Sequence, residues 1–435
     1  VDQFRDFDLR DRGHSYEIGG DLDFDLGHGR MKLIGLERFN SSDMKQSSIL
    51  SFVDKSPSTG SRFTTQSESG ERIARAEYKW DMLGGNWQLD TEAAFNRFDQ
   101  ASQLYNLDTN SSFAEIQLPN STGGVTEDRY EMILTHGRSI REGFTMQLGA
   151  GGEYSKLAQA GSGGLERTFW RPKGSLLLAW TPKKGLDLSL KLARRVGQLS
   201  FDDFLAEVFL DEGNANSGNV KLKPTQSWES DLEIKKDLGE WGSANLRLFA
   251  RWYDDYVDII PMPGGGESPG NIDNAKLYGI DWNSTFNLDP IGWKGAKLDY
   301  SIKLEKSIID DPLTGVERHF SRHYDRVGDI SLRHDIPGSN WAWGLGMEFY
   351  HVQPFFRLSE VGREYEGPIY TRAFIEHKDV FGLTMNLMIF NLTDGRGIYH
   401  RTVYTGLRNS SPVLFIENRD LSVQPIFMLN ITGSF

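Results

Sequence analysis

Apolar and polar residues alternate along much of the chain. In residues 16–26, Tyr16, Ile18, Gly20, Leu22, Phe24 and Leu26 fall on one face, and Glu17, Gly19, Asp21, Asp23 and Asp25 on the other. Period 2 is the signature of a β-strand, because successive side chains point to opposite sides of a sheet. The pattern recurs at Leu186, Leu188, Leu190 and Leu192, at Tyr278, Ile280 and Trp282, at Leu298, Tyr300, Ile302 and Leu304, and at Trp341, Trp343, Leu345, Met347 and Phe349. About 17 such strands are visible, most of them long enough to cross a bilayer as roughly 9–11 tilted residues. Residues 31–39 are apolar on both faces and fit the pattern less well.

The connections alternate as well. Short turns fall near 27–30, 83–86, 138–142, 181–185, 238–242, 288–294, 336–340 and 378–382, rich in the Gly, Pro and Asn of tight turns. Longer loops fall between them, near 40–67, 100–125, 158–165, 197–225, 260–271, 309–320, 356–366 and 393–417. Short turns on one rim and long loops on the other describe an outer-membrane barrel. A soluble propeller would repeat a motif every ~40–45 residues, and none is found; soluble strands average about 5–6 residues, shorter than these. Trp80, Trp87, Trp180, Trp241, Trp252, Trp341 and Trp343 lie near strand ends, as interfacial girdles do. Val423, Phe427, Leu429, Ile431 and Phe435 share one face of a final strand with Phe435 last, a form similar to the C-terminal signal of outer-membrane proteins. The expected fold is all-β: an antiparallel transmembrane β-barrel over 1–435, in the bacterial outer membrane, with 393–417 outside and Phe435 at the periplasmic rim.

Composition changes this picture little. A mean hydropathy of -0.47 would read as soluble, but a barrel strand is apolar on one face only. A net charge of -13 disfavours nucleic acid as a partner. The absence of cysteine removes disulfides, thiolate catalysis and cysteine metal sites.

Four stretches carry a family resemblance. They are Leu222-Lys223-Pro224-Thr225-Gln226-Ser227-Trp228-Glu229, Tyr253-Asp254-Asp255-Tyr256-Val257-Asp258, the run Asn271 to Asp281, and Asn391-Leu392-Thr393-Asp394. In order and spacing they resemble the C-terminal barrel portion of TonB-dependent receptors, with Thr225 where the family usually has Glu. The resemblance covers roughly 220–435 by motif and the earlier half by strand pattern. Each stretch reads first as a fold marker: Pro224 as a strand start, Asn391 and Asp394 as a turn. Plugged transporters have about 22 strands. With about 17 visible and no plug or TonB box recognisable, the barrel is expected to be incomplete, its plug and first strands absent. No signal peptide opens the chain at Val1, so it is expected to be mature, cut or truncated. Open sheet edges in lipid are not viable.

Candidate chemistry is sparse. Gly266-Glu267-Ser268-Pro269-Gly270 has the letters of a nucleophile elbow, but lies in a loop with no helix after it, so chance explains it better. Gly264-Gly265-Gly266 reads as a flexible loop before it reads as a phosphate cradle. His319 and His323, beside Asp310, Asp311 and Arg322, are the candidate metal ligands; their spacing converges only on a helix, and no metal or other cofactor is expected. Asp21, Asp23, Asp25, Asp90, Glu92, Asp187, Asp231, Glu233, Asp281 and Asp299 face inward. A watery or plugged lumen needs polar walls in any case; an excess of acid would favour neutral or cationic solutes. Among the loop aromatics, Tyr105, Phe209, Tyr399 and Tyr404 are the candidate ligand contacts, against the plainer reading that they pack the loops together.

The resemblance implies TonB-dependent import of a scarce nutrient, with no covalent chemistry at the barrel. Implied partners are a small-molecule ligand, outer-membrane lipid and lipopolysaccharide, and the TonB–ExbB–ExbD complex acting through a plug. A ferric siderophore leads, as the family's commonest cargo, followed by an oligosaccharide. A passive porin, which needs a closed strand count and no plug, and a barrel enzyme, which needs a nucleophile with an acid–base partner at the rim, are the rivals from other classes.

Overall fold

The structure is a computed structural model that describes residues 2–160, 164–263, 265–366 and 369–433; Phe435 and Gly264 lie outside the described residues. Its strands are β1 (Gln3–Leu26), β2 (Gly29–Phe52), β3 (Thr59–Met82), β4 (Gly85–Leu107), β5 (Phe113–Ile116), β6 (Thr122–Arg141), β7 (Phe144–Ala160), β8 (Glu166–Lys183), β9 (Leu186–Val196), β10 (Glu207–Phe209), β11 (Asn214–Asn216), β12 (Gln226–Asp237) and β13 (Gly242–Pro261). They continue as β14 (Glu267–Asn287), β15 (Ala296–Asp310), β16 (Glu317–Arg318), β17 (Tyr324–Asp335), β18 (Trp341–Val352), β19 (Phe355–Phe356), β20 (Glu360–Glu366), β21 (Tyr370–Val380), β22 (Leu383–Phe390), β23 (Arg396–Tyr404), β24 (Val413–Ser422) and β25 (Ile426–Thr432).

Among the described residues, nineteen strands form one antiparallel sheet. Two of them, β5 and β16, are short additions to the outer rim, so seventeen make the wall, each paired to the next from β1 to β25. The short turns predicted from the sequence all lie on one rim. Leu83–Gly84 and Phe381–Gly382 have both central φ values positive, +54° and +73° in the first and +58° and +81° in the second, the geometry of a type I′ hairpin.

The wall faces lipid with its apolar side. Ile18, Leu22, Met132, Leu134, Leu148, Leu345, Ile375 and Leu429 are all exposed on it. Aromatic residues bound this band above and below. Phe95, Tyr130, Tyr154 and Trp170 form one contiguous row, with centroids 6.1–6.4 Å apart; Tyr78, Trp80, Trp87 and His136 form another near the turns. On β8, Trp170 and Trp180 are ten residues apart. That is roughly 33 Å along the strand, or about 25 Å of height at a tilt of about 40°, the thickness of an outer-membrane apolar band.

Several predicted loops are strands instead. Residues 40–67 were expected as a loop, yet β2 runs to Phe52 and β3 starts at Thr59. Residues 267–271 likewise belong to β14, and 393–417 contains β23 and the start of β24. The upper part of the wall stands in water on both sides, so nothing imposes apolar alternation, while the backbone ladder continues unchanged: Ser42 pairs with Gly13 and Ser67, and Gln46 with Leu9 and Phe63.

The family-like stretches mark bends. Asp255 (φ +55°) is skipped in the β13–β14 register, which resumes unshifted at Tyr256. Its carbonyl accepts from Asn271 Nδ2 at 2.7 Å and Thr225 Oγ1 at 3.0 Å, while Asn271 Oδ1 accepts from the Lys223 backbone N–H at 2.8 Å. Three of the four stretches thus meet in one knot. Asn391, fully buried with φ +55°, closes the fourth: its side chain accepts from the Gly395 N–H at 2.5 Å and donates to the Gly395 carbonyl at 3.0 Å. There the chain leaves β22 for the β23–β24 hairpin, which stands above β22 and β25.

Candidate functional site

The long outer loops build a roof over the lumen. Residues 197–225 form a strap whose base lies between β9 and β12, the eighth and ninth wall strands. Its tip reaches β1, where Arg5 donates to the Asp211 carbonyl at 2.9 Å and to the Leu210 carbonyl, and the β23–β24 hairpin, where Arg419 donates to the Asp211 carbonyl at 3.5 Å. A loop rooted at the middle of the wall and touching both of its ends spans the mouth.

Apolar packing anchors the near half of the strap. Phe204 and Leu222 are fully buried against Val125 and Leu157, with Phe169, Leu199, Phe201 and Val257 around them. Ala206 N–H donates to the Asn120 carbonyl at 2.9 Å, and Asn219 Nδ2 to the Pro269 carbonyl at 3.0 Å. Desolvation raises the carboxyl pKa of Asp203, in this half, to about 6 and that of Glu207, at the start of β10, to about 7; Asp202 adds to both rises and Asp203 to that of Glu207.

The far half, β10 and β11 with their turn, is held by charge. Arg322 donates to Glu212 Oε1 at 2.8 Å, and Arg401 to the Glu212 carbonyl at 2.5 Å. Arg357 donates to the Ala215 carbonyl at 3.1 Å and Asn216 Oδ1 at 2.8 Å, while its Nε pairs with Glu267. Asn214 Nδ2 donates to Glu360 Oε1 at 2.7 Å, Arg401 bonds Glu360 at 2.9 Å and Glu417 at 2.7 Å, and Arg419 bonds Glu417 at 2.6 Å. The arginines also cover aromatic rings: Arg322 over Phe355 at 4.8 Å, Arg357 over Phe209 at 5.9 Å, and Arg419 and Arg401 over Tyr399 at 4.7 and 5.8 Å. Burial opposes ionisation of Glu212, but Arg322, Asn214 and Arg357 outweigh it and hold its pKa below the usual range.

A second buried network locks the roof to the wall. Asp311 accepts from Arg318 at 2.6 Å and from Arg408 at 2.5 and 2.6 Å; Arg318 also pairs with Asp258 at 2.9 Å. Arg408 Nε donates to the Arg357 carbonyl at 2.9 Å, which ties the β23–β24 turn to the loop after β18.

Two of the four candidate aromatics meet here. Phe209 and Tyr399 stand under the arginines just described. Tyr404 is half-buried at the top of β23, its N–H on the Ser359 carbonyl at 2.9 Å, beside the roof rather than inside it. Tyr105 pairs with Arg62 and shares a face of β4 with Arg97; Arg97 pairs with Gly70, the cross-strand partner of lipid-side Phe39, so Tyr105 lies on the outer surface of the wall.

His319 and His323 do not converge. His319 Nδ1 shares a hydrogen bond with the Ser307 carbonyl at 2.8 Å, and His323 Nε2 lies 3.0 Å from Glu305, an ion-pair distance without hydrogen-bond alignment. No group of three His, Cys, Asp or Glu side chains that could hold a metal occurs among the described residues. Ser268 is wholly buried and its hydroxyl has no partner; the carboxylate of Glu267 is spent on Arg357 and the Leu358 N–H at 2.6 Å.

Most of the inward acids are partnered by neighbouring side chains. Asp23 bonds Arg30 at 2.5 Å, Glu92 bonds Arg129 at 3.0 Å, Asp231 bonds Arg251 at 2.8 Å and Asp281 bonds Arg247 at 3.0 Å. Asp187 and Asp299 accept from Thr181 and Thr285, each at 2.6 Å.

Arg5, Arg357, Arg401, Arg419 and Glu212 went unnoticed in the sequence, and Arg322 was named only as a neighbour of the two histidines. A weak signal for two of them is an arginine one or two positions after a loop aromatic, as in Phe356-Arg357 and Tyr399-His400-Arg401.

A family model described as "TonB dependent receptor-like, beta-barrel" matches residues 2–390. A vitamin B12 transporter, BtuB of Vibrio vulnificus, is 36% identical over 84 residues, 19% of this chain and 14% of that one. The pyoverdine outer-membrane receptor FpvA of Pseudomonas aeruginosa superposes with a TM-score of 0.64 at 11% identity, over 98% of this chain and 62% of that one. The ferric preacinetobactin receptor BauA of Acinetobacter baumannii does so with 0.57 at 12% identity, over 93% and 62%. The chain thus spans about three fifths of the length of these two solved receptors. With the family model covering nearly all of its length, a seventeen-strand antiparallel wall and an apolar band of membrane height, the chain belongs to the TonB-dependent receptor β-barrel family and resides in the outer membrane.

Proposed function

We propose that this receptor actively imports a ferric siderophore, or a ferric chelate of similar chemistry, across the outer membrane. One observation carries the reading: the roof over the lumen is lined by arginines laid over aromatic rings, Arg322 on Phe355, Arg357 on Phe209 and Arg419 on Tyr399. Guanidinium groups bind carboxylate and other anionic oxygens in pairs, and rings add flat apolar contact. Together they suit a compact, anionic, oxygen-rich chelate better than a neutral glycan, which needs open ring platforms and neutral polar groups. The local identity with a vitamin B12 transporter makes cobalamin the control ligand.

The reading includes a plug in the lumen, pulled by the TonB–ExbB–ExbD complex, as energy source. It also includes further wall strands. With seventeen antiparallel strands, β1 and β25 run in the same direction and neither has a second partner among the described residues. An antiparallel ring therefore needs an odd number of additional strands between them, and about five would give the roughly 22 of a plugged transporter.

Tryptophan fluorescence of the intact receptor, titrated with ferric catecholate, hydroxamate and citrate chelates, vitamin B12 and oligosaccharides, tests the cargo. Saturable quenching by a ferric chelate alone is expected. Quenching by an oligosaccharide or cobalamin, with none by any chelate, removes the reading.

A further inference from the structure

The strap tip is held as a bound ligand would be held, since its neighbours supply cations and it supplies oxygens. Arg5, Arg322, Arg357, Arg401 and Arg419 come from β1, the loop before β17, the loop after β18 and the β23–β24 hairpin. All five donate to oxygens of residues 210–216: the Glu212 carboxylate, the Asn216 amide oxygen and the carbonyls of Leu210, Asp211, Glu212 and Ala215. The fit is incomplete. Tyr399 is 6% exposed, yet among the described residues its hydroxyl has no hydrogen-bond partner, and Asn214 Oδ1 has none either. A buried hydroxyl without a partner is costly, and here it sits beside Arg401 and Arg419, where a ligand oxygen would complete it.

The charge balance points the same way. The carboxylates bonded to these arginines are Glu212, Glu267, Glu360 and Glu417. Four carboxylates face five arginines, and withdrawal of Glu212 leaves two positive charges uncompensated. Most of the tip's acceptors are neutral carbonyls. Arginine bonds to the tip's carbonyls already have a charged donor, but an anionic oxygen adds charge–charge attraction to the guanidinium that a neutral carbonyl lacks, so a ligand with several anionic oxygens gains more from the cage than the tip does. Gly213, at the turn with φ +74°, packs against nothing on the side where a Cβ would lie.

We propose that residues 210–216 are an internal stand-in for ligand: Glu212 and its neighbouring carbonyls occupy an arginine cage in the unliganded mouth, and an anionic oxygen-donor chelate competes them out and frees the strap. This rests on the anionic-chelate reading above.

The chain has no cysteine, so a single Val208→Cys, buried in β10, reports strap release by maleimide labelling of the full receptor in outer membranes. Citrate and ferric citrate are the probes, with maltose as neutral control. About tenfold faster labelling is expected at saturating citrate or ferric citrate and none with maltose; Glu212→Gln, an isosteric change, is expected to raise the basal rate several-fold. Heat-modifiable gel mobility confirms that each variant is folded. Unchanged labelling in Glu212→Gln overturns the proposal, as does acceleration in that variant with no response to either probe. A crosslinked Asn214→Cys/Glu360→Cys pair separates the two readings. If the crosslinked receptor still takes up ferric chelate, the stand-in is wrong and import stands. If the strap responds to citrate but no ferric chelate is taken up, the cage stands and the import reading falls.

Discussion

The two rims of the wall are built on different physics. The lower rim is a set of tight turns under an aromatic row, next to an apolar band whose outward side chains meet lipid. The upper wall and its roof are polar on both sides and joined by ion pairs and backbone ladders. Lipid writes a period-2 signal into sequence, because every outward residue of the band must be apolar. Water writes none. The same strand can therefore be half legible: β1 alternates visibly over 16–26 but runs on without that alternation to Gln3.

The sharpest way to break this contrast is to remove a charge from the roof. Asp311 is 3% exposed and serves both Arg318 and Arg408. Burial alone would raise its pKa, but the two guanidinium groups overrule burial and hold it below the usual carboxylate range. Asp311→Ala leaves two buried guanidinium groups short of a partner, with an expected cost of about 3–5 kcal/mol, confined to the roof. Hydrogen exchange should rise several-fold around 405–412 and stay unchanged in β6–β8. Uniform loosening of wall and roof would show that they are not separable units.

The complementary change puts a charge into the band. Leu345 is exposed to lipid between Trp341 and the upper part of β18. Leu345→Arg is expected to destabilise the receptor in bilayers by about 2–4 kcal/mol, read as a lower denaturant midpoint. Gln66→Arg, on an equally exposed outward position of β3 above the band, should cost less than about 0.5 kcal/mol. Equal effects would mean that the band extends higher than the aromatic rows mark. Between these two, Gly382→Ala at φ +81°, with open space around the added methyl, should cost about 1–2 kcal/mol from backbone strain alone.

The same contrast explains what the sequence disclosed. The wall strands, the short turns and the rim on which each loop lies follow from alternation and turn residues, both local. Pro224, Asp255, Asn271 and Asn391 were readable as fold markers because each fixes a bend within a few residues. The strap's destination was not readable. Arg5 and Asp211 are 206 residues apart and Arg401 and Glu212 are 189 apart, and no local period links such pairs. Phe209 and Tyr399, chosen by residue type, lie in the roof; Tyr105 shared the type but sits on the outer face of the wall, and type alone cannot tell faces apart where alternation has faded.

The smallest expected effect distinguishes Glu207 from Glu212, five residues further along the strap. Glu207 and Asp203 bind protons more tightly when the strap is docked, with pKa values of about 7 and about 6 against ordinary values of 4.5 and 3.8. A raised carboxylate favours docking below its ordinary pKa and loses that advantage as pH rises through the docked value. Docking should therefore weaken between about pH 4 and pH 7, by at most a factor of ten per pH unit for each titrating group and by less here, because both groups keep some contact with water. Asp202 beside them reinforces the trend and Arg357 opposes it. Glu212 acts in the other direction: its lowered pKa favours docking above its ordinary value and is lost only in stronger acid. Across pH 5–7.5 the first effect should dominate, so exchange of amides 202–208, corrected for intrinsic rates, is expected to be faster at pH 7.5 than at pH 5. Glu207→Gln should flatten the upper part of that profile while Glu212→Gln leaves its shape intact. Faster exchange at pH 5 would instead mean that the arginine cage, and not the buried acids, governs the whole strap.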